Sequence, residues 1–492
     1  MARGSARPVE PASTRRAGPA FRCRLELGVP LNPLTLGIAA YIAVQLAIGV
    51  VVSRRIRTED DYLVAGRSLG PVLATFTVFA TWFGAETCIG AAGAVYEYGL
   101  SGGSSDPFGY GLCIIVTGLV FAVPLWRLRL TTLADLFRLR FDASVERLAV
   151  LLLVPTSLFW AAAQVRAFGQ VLSAASGVET ELAITIAAGV VIAYTIFGGL
   201  LADAWTDLVQ GIAVILGIGA LFVAVARIEG LEVFTSLDPG ALDLAGPGDP
   251  SLLGVAEQWA VPIVGSMVAA EIVARMIATR SAEVARNATV LAGASYLVIG
   301  LLPVALGLVG ALLVPGLDDP EQVLPLLARR YLPTALYVLF AGALVSAILS
   351  TVDSALLVAA GLVSHNLILP LRPELNERAK VRLARACVAA FGVVAYVMAV
   401  RAERVYELVE QASAFGSAGI VTVVAFGLFT RLGGTASAVA SLLGGVTTWV
   451  AGAYVWDLPY PYLTSLAVAT VAYLLGALAG STPTRLLEPV GS

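Results

Sequence analysis

Hydrophobic segments long enough to cross a lipid bilayer recur from residue 34 almost to the end of this 492-residue chain. Since a membrane-spanning helix needs about 20 mostly apolar residues, such a length accommodates roughly a dozen crossings. Charged residues make up only 13% of the chain, whereas a soluble globular domain carries roughly 25%. The sequence therefore predicts one all-α polytopic membrane domain and excludes an ordinary soluble enzyme.

The pattern predicts thirteen transmembrane helices. They cover residues 34–53, 71–95, 106–126, 146–174, 181–199, 203–226, 252–277, 288–315, 334–364, 382–400, 405–430, 434–455 and 460–480. Residues 1–33 are rich in Pro, Arg, Ala and Ser and lack the apolar core and cleavage site of a signal peptide, so we expect a disordered tail there. Residues 34–480 are expected to form a single transmembrane domain, followed by a short cytoplasmic tail at 481–492.

Arginine placement predicts how the helices are oriented, because basic loops are retained on the cytoplasmic side of a membrane. One set of alternate loops holds Arg54, Arg55, Arg57, Arg127, Arg129, Arg138, Arg140, Arg280, Arg286, Arg372, Arg378, Lys380, Arg431 and Arg485, and the other holds chiefly Arg227, Arg329, Arg330, Arg401 and Arg404. The first set is expected to face the cytoplasm, with the N-terminus outside and the C-terminus inside. Lys380 is the sole lysine, a bias typical of GC-rich genomes, so the inner membrane of a bacterium is the expected location.

Several classes of function are disfavoured by composition and motif. The net charge of −3 and the scattered basic residues argue against nucleic-acid binding. The four cysteines have no CxxC spacing, which argues against a disulfide framework or a cysteine metal site. No Ser-His-Asp set, HExxH motif or phosphate-binding glycine loop stands in a plausible context, so an enzyme is not expected.

Two predicted helices are interrupted at matching places in the two halves of the chain. Gly84 and Glu86 interrupt one apolar span, and Pro262 and Glu271 interrupt the segment 252–277 five helices later. Such a pair is typical of discontinuous helices around a midplane binding site in transporters built from inverted repeats. Glycines that merely allow close helix packing are the alternative.

A stripe of hydroxyl groups lies on the helix predicted at 334–364. Ala347, Ser350, Thr351 and Ser354 share one helical face, with Asp353 on its flank. Hydroxyls and free carbonyls supply the oxygen ligands that a small hard cation needs. Bonding of each hydroxyl to the preceding turn is the alternative, but it leaves Asp353 unexplained, because a carboxylate in an apolar span typically marks an ion pathway or a paired charge.

Two more charged residues stand in or beside predicted helices. Asp207 is a second candidate for the cation site, although a carboxylate at a helix start is also stabilised by the helix dipole. Arg166 can bind a substrate carboxylate bidentately, or it can extend to the membrane surface without a binding role.

Four motifs, in this order and at these separations, resemble the sodium:solute symporter family. They are GRSLGP at 66–71, ATWFGAE at 80–86, GGLLADAWTD at 198–207 and AILSTVDS at 347–354, and the resemblance covers roughly residues 58–430. It implies a leucine-transporter-like fold and sodium-driven uptake of a solute by alternating access. The implied organisation is an extra N-terminal helix at 34–53, two inverted five-helix repeats at 71–226 and 252–430, and two peripheral helices at 434–480.

The resemblance also implies sodium-binding positions. The main site would use the carbonyls of Ala80, Phe83 and Ala347 and the hydroxyls of Ser350 and Thr351. Some members bind a second sodium, and the matching positions here are Asp207, Ser350, Asp353 and Ser354. Asp353 stands where several relatives have a hydroxyl, which leaves the sodium stoichiometry, and the choice between sodium and a proton, open.

Within the family, the chain is most similar to the high-affinity choline transporters. The shared pieces are ATW at 80–82, PFGY at 107–110 and the Phe159–Trp160 pair. The resemblance implies an aromatic cage of Trp82, Tyr110 and Trp160, which suits a quaternary ammonium because that group cannot donate hydrogen bonds and is held by cation–π attraction. The cage of those relatives includes a further tryptophan. The matching position here falls near Ala269, so this ring is missing.

The sequence thus predicts a sodium-coupled symporter in the lipid bilayer that imports a small polar solute. The expected substrate-binding residues are Trp82, Glu86, Tyr110, Trp160, Gln164 and Arg166. An organic cation such as choline is the first hypothesis. The alternatives are a carboxylate-bearing solute such as an amino acid or a monocarboxylate, motivated by Arg166, and a transporter-like membrane sensor.

Overall fold

The computed structural model describes residues 33–244, 251–402 and 404–479. The tails predicted at 1–33 and 481–492 lie outside the described residues, except for Pro33, with which the first helix begins. The described part is helical, and its β-type pairing is one isolated bridge between Leu69 and Thr279. This bridge ties the start of one broken helix to the end of the other, because Leu69 N–H donates to the Ala278 carbonyl at 3.2 Å.

The described residues contain nineteen α-helices. They are α1 (Pro33–Ser53), α2 (Glu59–Val64), α3 (Pro71–Trp82), α4 (Ala92–Tyr98), α5 (Tyr110–Val120), α6 (Ala122–Arg127), α7 (Ala134–Arg140), α8 (Ala143–Ser176), α9 (Thr180–Glu229), α10 (Leu252–Ala260), α11 (Ala270–Ile277), α12 (Ala282–Leu313), α13 (Val323–Tyr331), α14 (Thr334–Val363), α15 (Glu377–Arg401), α16 (Val405–Ala414), α17 (Ser417–Phe429), α18 (Thr435–Tyr454) and α19 (Pro461–Ala479).

The predicted count of thirteen spans is not reproduced by helix length and composition. Nine described helices are long and apolar enough to cross a membrane, or ten if the pair Pro71–Trp82 and Glu86–Val120, bent by 52°, is one span. Two shorter apolar helices, Ala39–Ser53 and Thr180–Ala193, fall below that length. The bent pair, which merges two predicted helices into one span, and these two short helices therefore account for the lower number.

The two helices predicted at 181–199 and 203–226 both lie within α9, where they meet at a kink. The joint is Gly199, with φ 65° and ψ 164°, a conformation that glycine adopts without steric cost. A Cβ at this position would lie 2.8 Å from Cδ2 of Tyr62 on α2. The glycine thus allows both the change of direction and the close approach of α2.

Both predicted helix breaks are confirmed. α3 ends at Trp82, where Phe83 has non-helical backbone angles (ψ 70°), and a π-helical turn resumes at Glu86–Ala91. In the second segment, α10 passes into a π-helical turn at Val261–Gly265, and α11 begins after Ala269, whose ψ is 138°. The second interruption therefore lies four to seven residues beyond Pro262, the residue that predicted it.

The predicted hydroxyl-bearing helix lies at the centre of the molecule. Every residue of α14 from Phe340 to Leu362 is buried, and the helix packs against α8 and α9 over most of its length. A helix buried on all sides presents its polar groups to other helices and not to lipid. The fold therefore holds the hydroxyl stripe in the protein interior, next to the break in α3.

Candidate functional site

The break in α3 and the hydroxyl stripe of α14 meet through Thr351. Its Oγ1 lies 3.4 Å from the Ala80 carbonyl oxygen and 3.2 Å from the Ala347 carbonyl oxygen. Gly84 permits this approach, since a Cβ there would lie 2.5 Å from Thr351 Oγ1 and 2.7 Å from Glu86 Oε2. Three of the five predicted ligands of the main sodium site are therefore close together.

The other two predicted ligands have different surroundings. Phe83 lies in the non-helical backbone directly after α3. Ser350 donates its hydroxyl to a carboxylate oxygen of Asp207, so its side chain is turned towards α9. A hydroxyl rotates easily between acceptors, which leaves Ser350 within the same polar region as Thr351, its neighbour in the chain.

The residues predicted for a second cation site surround the same face of α14. Asp207 accepts a second hydrogen bond, from Thr77 Oγ1 at 2.5 Å. Ser354 donates to the Ser350 carbonyl at 2.8 Å. Asp353 is buried, with Oδ2 3.4 Å from the position that a Cβ on Gly198 would take, and neither oxygen has a hydrogen bond of normal geometry to a described residue.

An ion pair that the sequence analysis missed completes this polar region. The Arg275 guanidinium donates to the Asp203 carboxylate and to the Ser354 hydroxyl, and both charged side chains are fully buried. The available signals were the four-residue spacing of Asp203 and Asp207, which puts them on one face of α9, and an arginine within an apolar span. One guanidinium stands here among three buried carboxylates, an arrangement that favours a bound cation.

The three predicted cage residues form one aromatic cluster, although they come from α3, α5 and α8. Ring centroids of Trp82 are 5.4 Å from Tyr110 and 5.5 Å from Trp160, and those of Tyr110 and Trp160 are 6.1 Å apart. All three side chains are buried. The rings contact each other, and the adjoining cavity has a volume of only about 10 Å³.

Gln164 connects the two sides of the α3 break. Its Oε1 accepts from the Ala85 N–H at 3.0 Å, and its Nε2 donates to Glu86 Oε2 at 2.6 Å. The predicted residues Glu86 and Gln164 thus lie at the break, as expected. Arg166 is only part-buried, and its Nη1 donates to the Ala399 carbonyl near the end of α15, at 3.3 Å.

A carboxylate outside the predicted site set lies beside the aromatic cluster. Glu271, in the first turn of α11, lines the small cavity together with Thr81, Trp82, Trp160, Thr351 and Ala355. Its Oε1 accepts a hydrogen bond from Ser157 at 2.5 Å. The sequence marked Glu271 only as an interruption of an apolar helix, because nothing in the linear order reveals that α11 begins opposite the rings.

A larger cavity, of about 880 Å³, is lined in part by α10 and by the residues that precede α19. Its lining includes Gly90, Val261 and Ala414, next to the two helix breaks and to Ser413. Ser413 Oγ lies 2.8 Å from the Tyr110 hydroxyl, at hydrogen-bonding distance. The cavity thus reaches Ala414, whose neighbour in the chain, Ser413, contacts the aromatic cluster.

Two interrupted helices that meet a buried polar helix beneath a wide cavity define a secondary active transporter. The sodium:solute symporter family matches residues 62–445. The chain belongs to this family, and neither the family nor the relatives described below are enzymes.

Among curated proteins, the chain is 28% identical to high affinity choline transporter 1 of Homo sapiens, over 83% of this chain and 73% of that protein. It is 24% identical to the sodium/pantothenate symporter of Escherichia coli, over 91% of this chain and 96% of that protein. It is 26% identical to the sodium/proline symporter of Staphylococcus aureus, over 87% of each. Family membership thus supports sodium-coupled solute transport across a membrane, while these relatives are named for different solutes.

Among solved structures, the chain is similar to a Na⁺-coupled sialic acid symporter in a substrate-bound outward-open state. The TM-score is 0.81 at 19% identity, covering 92% of this chain and 99% of that chain. This likeness establishes the leucine-transporter-like fold that the motifs implied.

Proposed function

We propose that this protein imports a small organic cation together with sodium by alternating access. The observation that carries the proposal is the position of the aromatic cluster. Trp82 is the last residue of α3 before the helix break, and it lines the small cavity together with Thr351. A cation–π site and an oxygen-lined ion site are therefore adjacent, which lets one ligand affect the binding of the other.

In the proposed main sodium site, the ion binds the carbonyls of Ala80, Phe83 and Ala347 and the hydroxyls of Ser350 and Thr351. The distances from Thr351 Oγ1 to Ala80 and Ala347 support this set. Such an ion bridges α3 and α14 and stabilises one arrangement of the two helices. Each sodium that enters contributes about 2.3 kcal/mol per 100 mV of membrane potential, enough to concentrate a solute tens of fold.

A second cation would bind near Asp207, Asp353 and Ser354. Support comes from the excess of buried carboxylates over the single Arg275 guanidinium. Asp353, which has no well-formed hydrogen bond to a described residue, is the proposed principal ligand. This second ion sets the ratio of sodium to solute.

Three convergent rings favour an organic cation over a carboxylate-bearing solute. A desolvated cation gains about 2 kcal/mol or more from a suitably placed ring. Arg166, the residue that motivated the alternative, is part-buried and donates to the Ala399 carbonyl on α15.

The decisive experiment is uptake into proteoliposomes that contain the purified protein. Labelled choline, proline and pyruvate are compared with and without an inward sodium gradient, and counterflow is measured without the gradient. Sodium-dependent uptake of choline alone supports the proposal. Uptake of proline or pyruvate in its place overturns the cation assignment, and the absence of counterflow for any solute favours a sensor.

The proposed orientation places the N-terminus outside and the C-terminus in the cytoplasm of a bacterium, as the arginine distribution predicts. Single cysteines introduced at exposed Leu371 and Trp456, in a variant whose four native cysteines are replaced by serine, test it. A membrane-impermeant maleimide added to intact cells would label only the cysteine at residue 456.

A further inference from the structure

The aromatic cluster covers only part of the space at the helix breaks. Its rings belong to α3, α5 and α8, whereas the side formed by α11 has small residues, Ala269 and Ala270, followed by Glu271. The one side chain of α11 that lines the small cavity is Glu271. Three helices thus contribute rings to the site, whereas the fourth helix, α11, contributes a carboxylate.

The position of this carboxylate is well defined. Glu271 is 6% exposed, and the Ser157 hydroxyl donates to its Oε1. Ser157 precedes Trp160 by one helical turn on α8, so the hydrogen bond holds the carboxylate on the same side of α8 as the indole ring. Since the bond occupies one oxygen, the second oxygen keeps its acceptor capacity.

Charge is the strongest argument for a ligand. Arg275 follows Glu271 by one turn, but its guanidinium binds Asp203 and Ser354 and reaches only the backbone carbonyl of Glu271, at 3.5 Å. Among the described residues, none forms a salt bridge with the Glu271 carboxylate. Arg275 is a nearby positive charge, but a buried carboxylate that has no salt bridge is still costly, so a cation from outside the chain would be attracted to it.

A carboxylate and a ring select different cations. A quaternary ammonium has no N–H and binds mainly through the faces of rings. An amine that keeps at least one proton can donate a charge-assisted hydrogen bond, which is shorter and stronger than a neutral one. Three rings on one side and a hydrogen-bond acceptor on the other therefore match an alkylated ammonium group that retains an N–H.

We propose that Glu271 is the counter-ion and hydrogen-bond acceptor of the substrate, and that the substrate is a protonated primary, secondary or tertiary amine. Trp82, Tyr110 and Trp160 cover its alkyl groups. This inference rests on the proposed function and narrows its substrate class from organic cations in general to amines that retain an N–H.

The test is a tryptophan-fluorescence titration of the purified full chain at saturating sodium. The probes are ethanolamine, N-methylethanolamine, N,N-dimethylethanolamine and choline, which differ only in the number of methyl groups on nitrogen. The tightest of the three amines is expected to bind at least about tenfold more tightly than choline. In Glu271→Gln, amine affinity is expected to fall about 10- to 100-fold, with a much smaller change for choline.

Two further variants keep the result interpretable. Glu146→Gln removes another buried carboxylate, which is 2% exposed and is bonded to Asn366, and should leave all four affinities unchanged. Glu271→Asp keeps the charge on a shorter side chain and should retain the preference for amines at reduced affinity. A folding defect in Glu271→Gln would appear as lost thermal stability, and Glu271→Asp would then carry the test.

The outcomes separate the two proposals. Choline bound more tightly than every amine, or amine affinities unchanged in Glu271→Gln, overturns the inference while sodium-driven cation uptake stands. A Glu271→Gln variant that changes only the sodium activation curve identifies a sodium ligand and also overturns it. If the four cations fail to bind while proline or pyruvate is taken up with sodium, the cation assignment and this inference both fall.

Discussion

Thr351 Oγ1 on α14 lies 3.4 Å from the Ala80 carbonyl oxygen on α3. This contact joins the central helix to the last turn of α3 before its break, and Gly84 leaves room for it. A hydroxyl and a helix carbonyl at this separation can share a small cation. The expected behaviour of variants at Thr351 and Gly84 follows from this relationship.

Removal of the Thr351 hydroxyl should weaken sodium activation more than folding. In Thr351→Ala, we expect the sodium concentration for half-maximal uptake to rise about tenfold or more, because one of the oxygen ligands is lost. Uptake as a function of sodium concentration measures this change. Thr422→Ala is the matched control, since that buried hydroxyl bonds only the preceding turn, at the Ala418 carbonyl. A wild-type sodium curve in Thr351→Ala would refute the site.

A methyl group at residue 84 should act on the same contact from the other side. In Gly84→Ala the new Cβ would lie 2.5 Å from Thr351 Oγ1, so either this hydroxyl must turn away from the Ala80 carbonyl or α3 and α14 must separate. Reduced sodium affinity and reduced maximal uptake are expected. Gly189→Ala provides the comparison, because no atom lies within 4 Å of a Cβ there. Equal uptake by the two variants would show that close approach at Gly84 is unimportant.

Substitution of Asp353 tests the second ion. The wild-type protein should show a sodium Hill coefficient above one, and Asp353→Asn should lower it to about one, because the neutral amide is a weaker cation ligand. Uptake at a series of sodium concentrations gives both values. An unchanged Hill coefficient would show that Asp353 does not take part in sodium coupling. If uptake depends on external pH in the wild-type protein but not in Asp353→Asn, Asp353 binds a proton and not a sodium ion.

The aromatic cluster should determine affinity for a cationic substrate. Trp160→Ala is expected to raise KM about 30-fold, equivalent to the loss of roughly 2 kcal/mol of cation–π attraction. Trp160→Phe keeps a ring and should recover most of that loss. Trp205, which is 43% exposed on α9, serves as a control in Trp205→Ala. If Trp160→Ala and Trp205→Ala have the same KM, the cluster is a packing feature.

The buried ion pair should contribute to stability. Arg275→Gln leaves Asp203 without its partner, a change that costs about 3–5 kcal/mol in proteins studied so far. Thermal unfolding in detergent is the measurement, with Arg286→Gln as the control because that side chain bonds Asn287 at an exposed position. The double variant Asp203→Asn with Arg275→Gln should recover part of the loss. If Arg275→Gln and Arg286→Gln have the same midpoint of thermal unfolding, the ion pair does not stabilise the protein.

Much of the fold was predictable because hydrophobic segments of spanning length are a local property. Interruptions at Gly84 and Pro262 likewise signalled two broken helices, which the structure confirms. The number of crossings was harder to predict, since the helix predicted at 181–199 is shorter than a full span and meets the next helix at a kink at Gly199. Whether a chain turns at such a residue depends on what packs there, in this case Tyr62.

The sequence by itself determined the membrane environment, the helical class and the residue types needed near the breaks, because each depends on composition or on spacing along one helix. Only the tertiary structure decided which polar groups meet. It directed Ser350 to Asp207, paired Arg275 with Asp203, anchored Arg166 on α15 and placed Glu271 beside the rings. These pairings join helices that are far apart in the chain, and their geometry depends on how the helices pack and not on any local pattern.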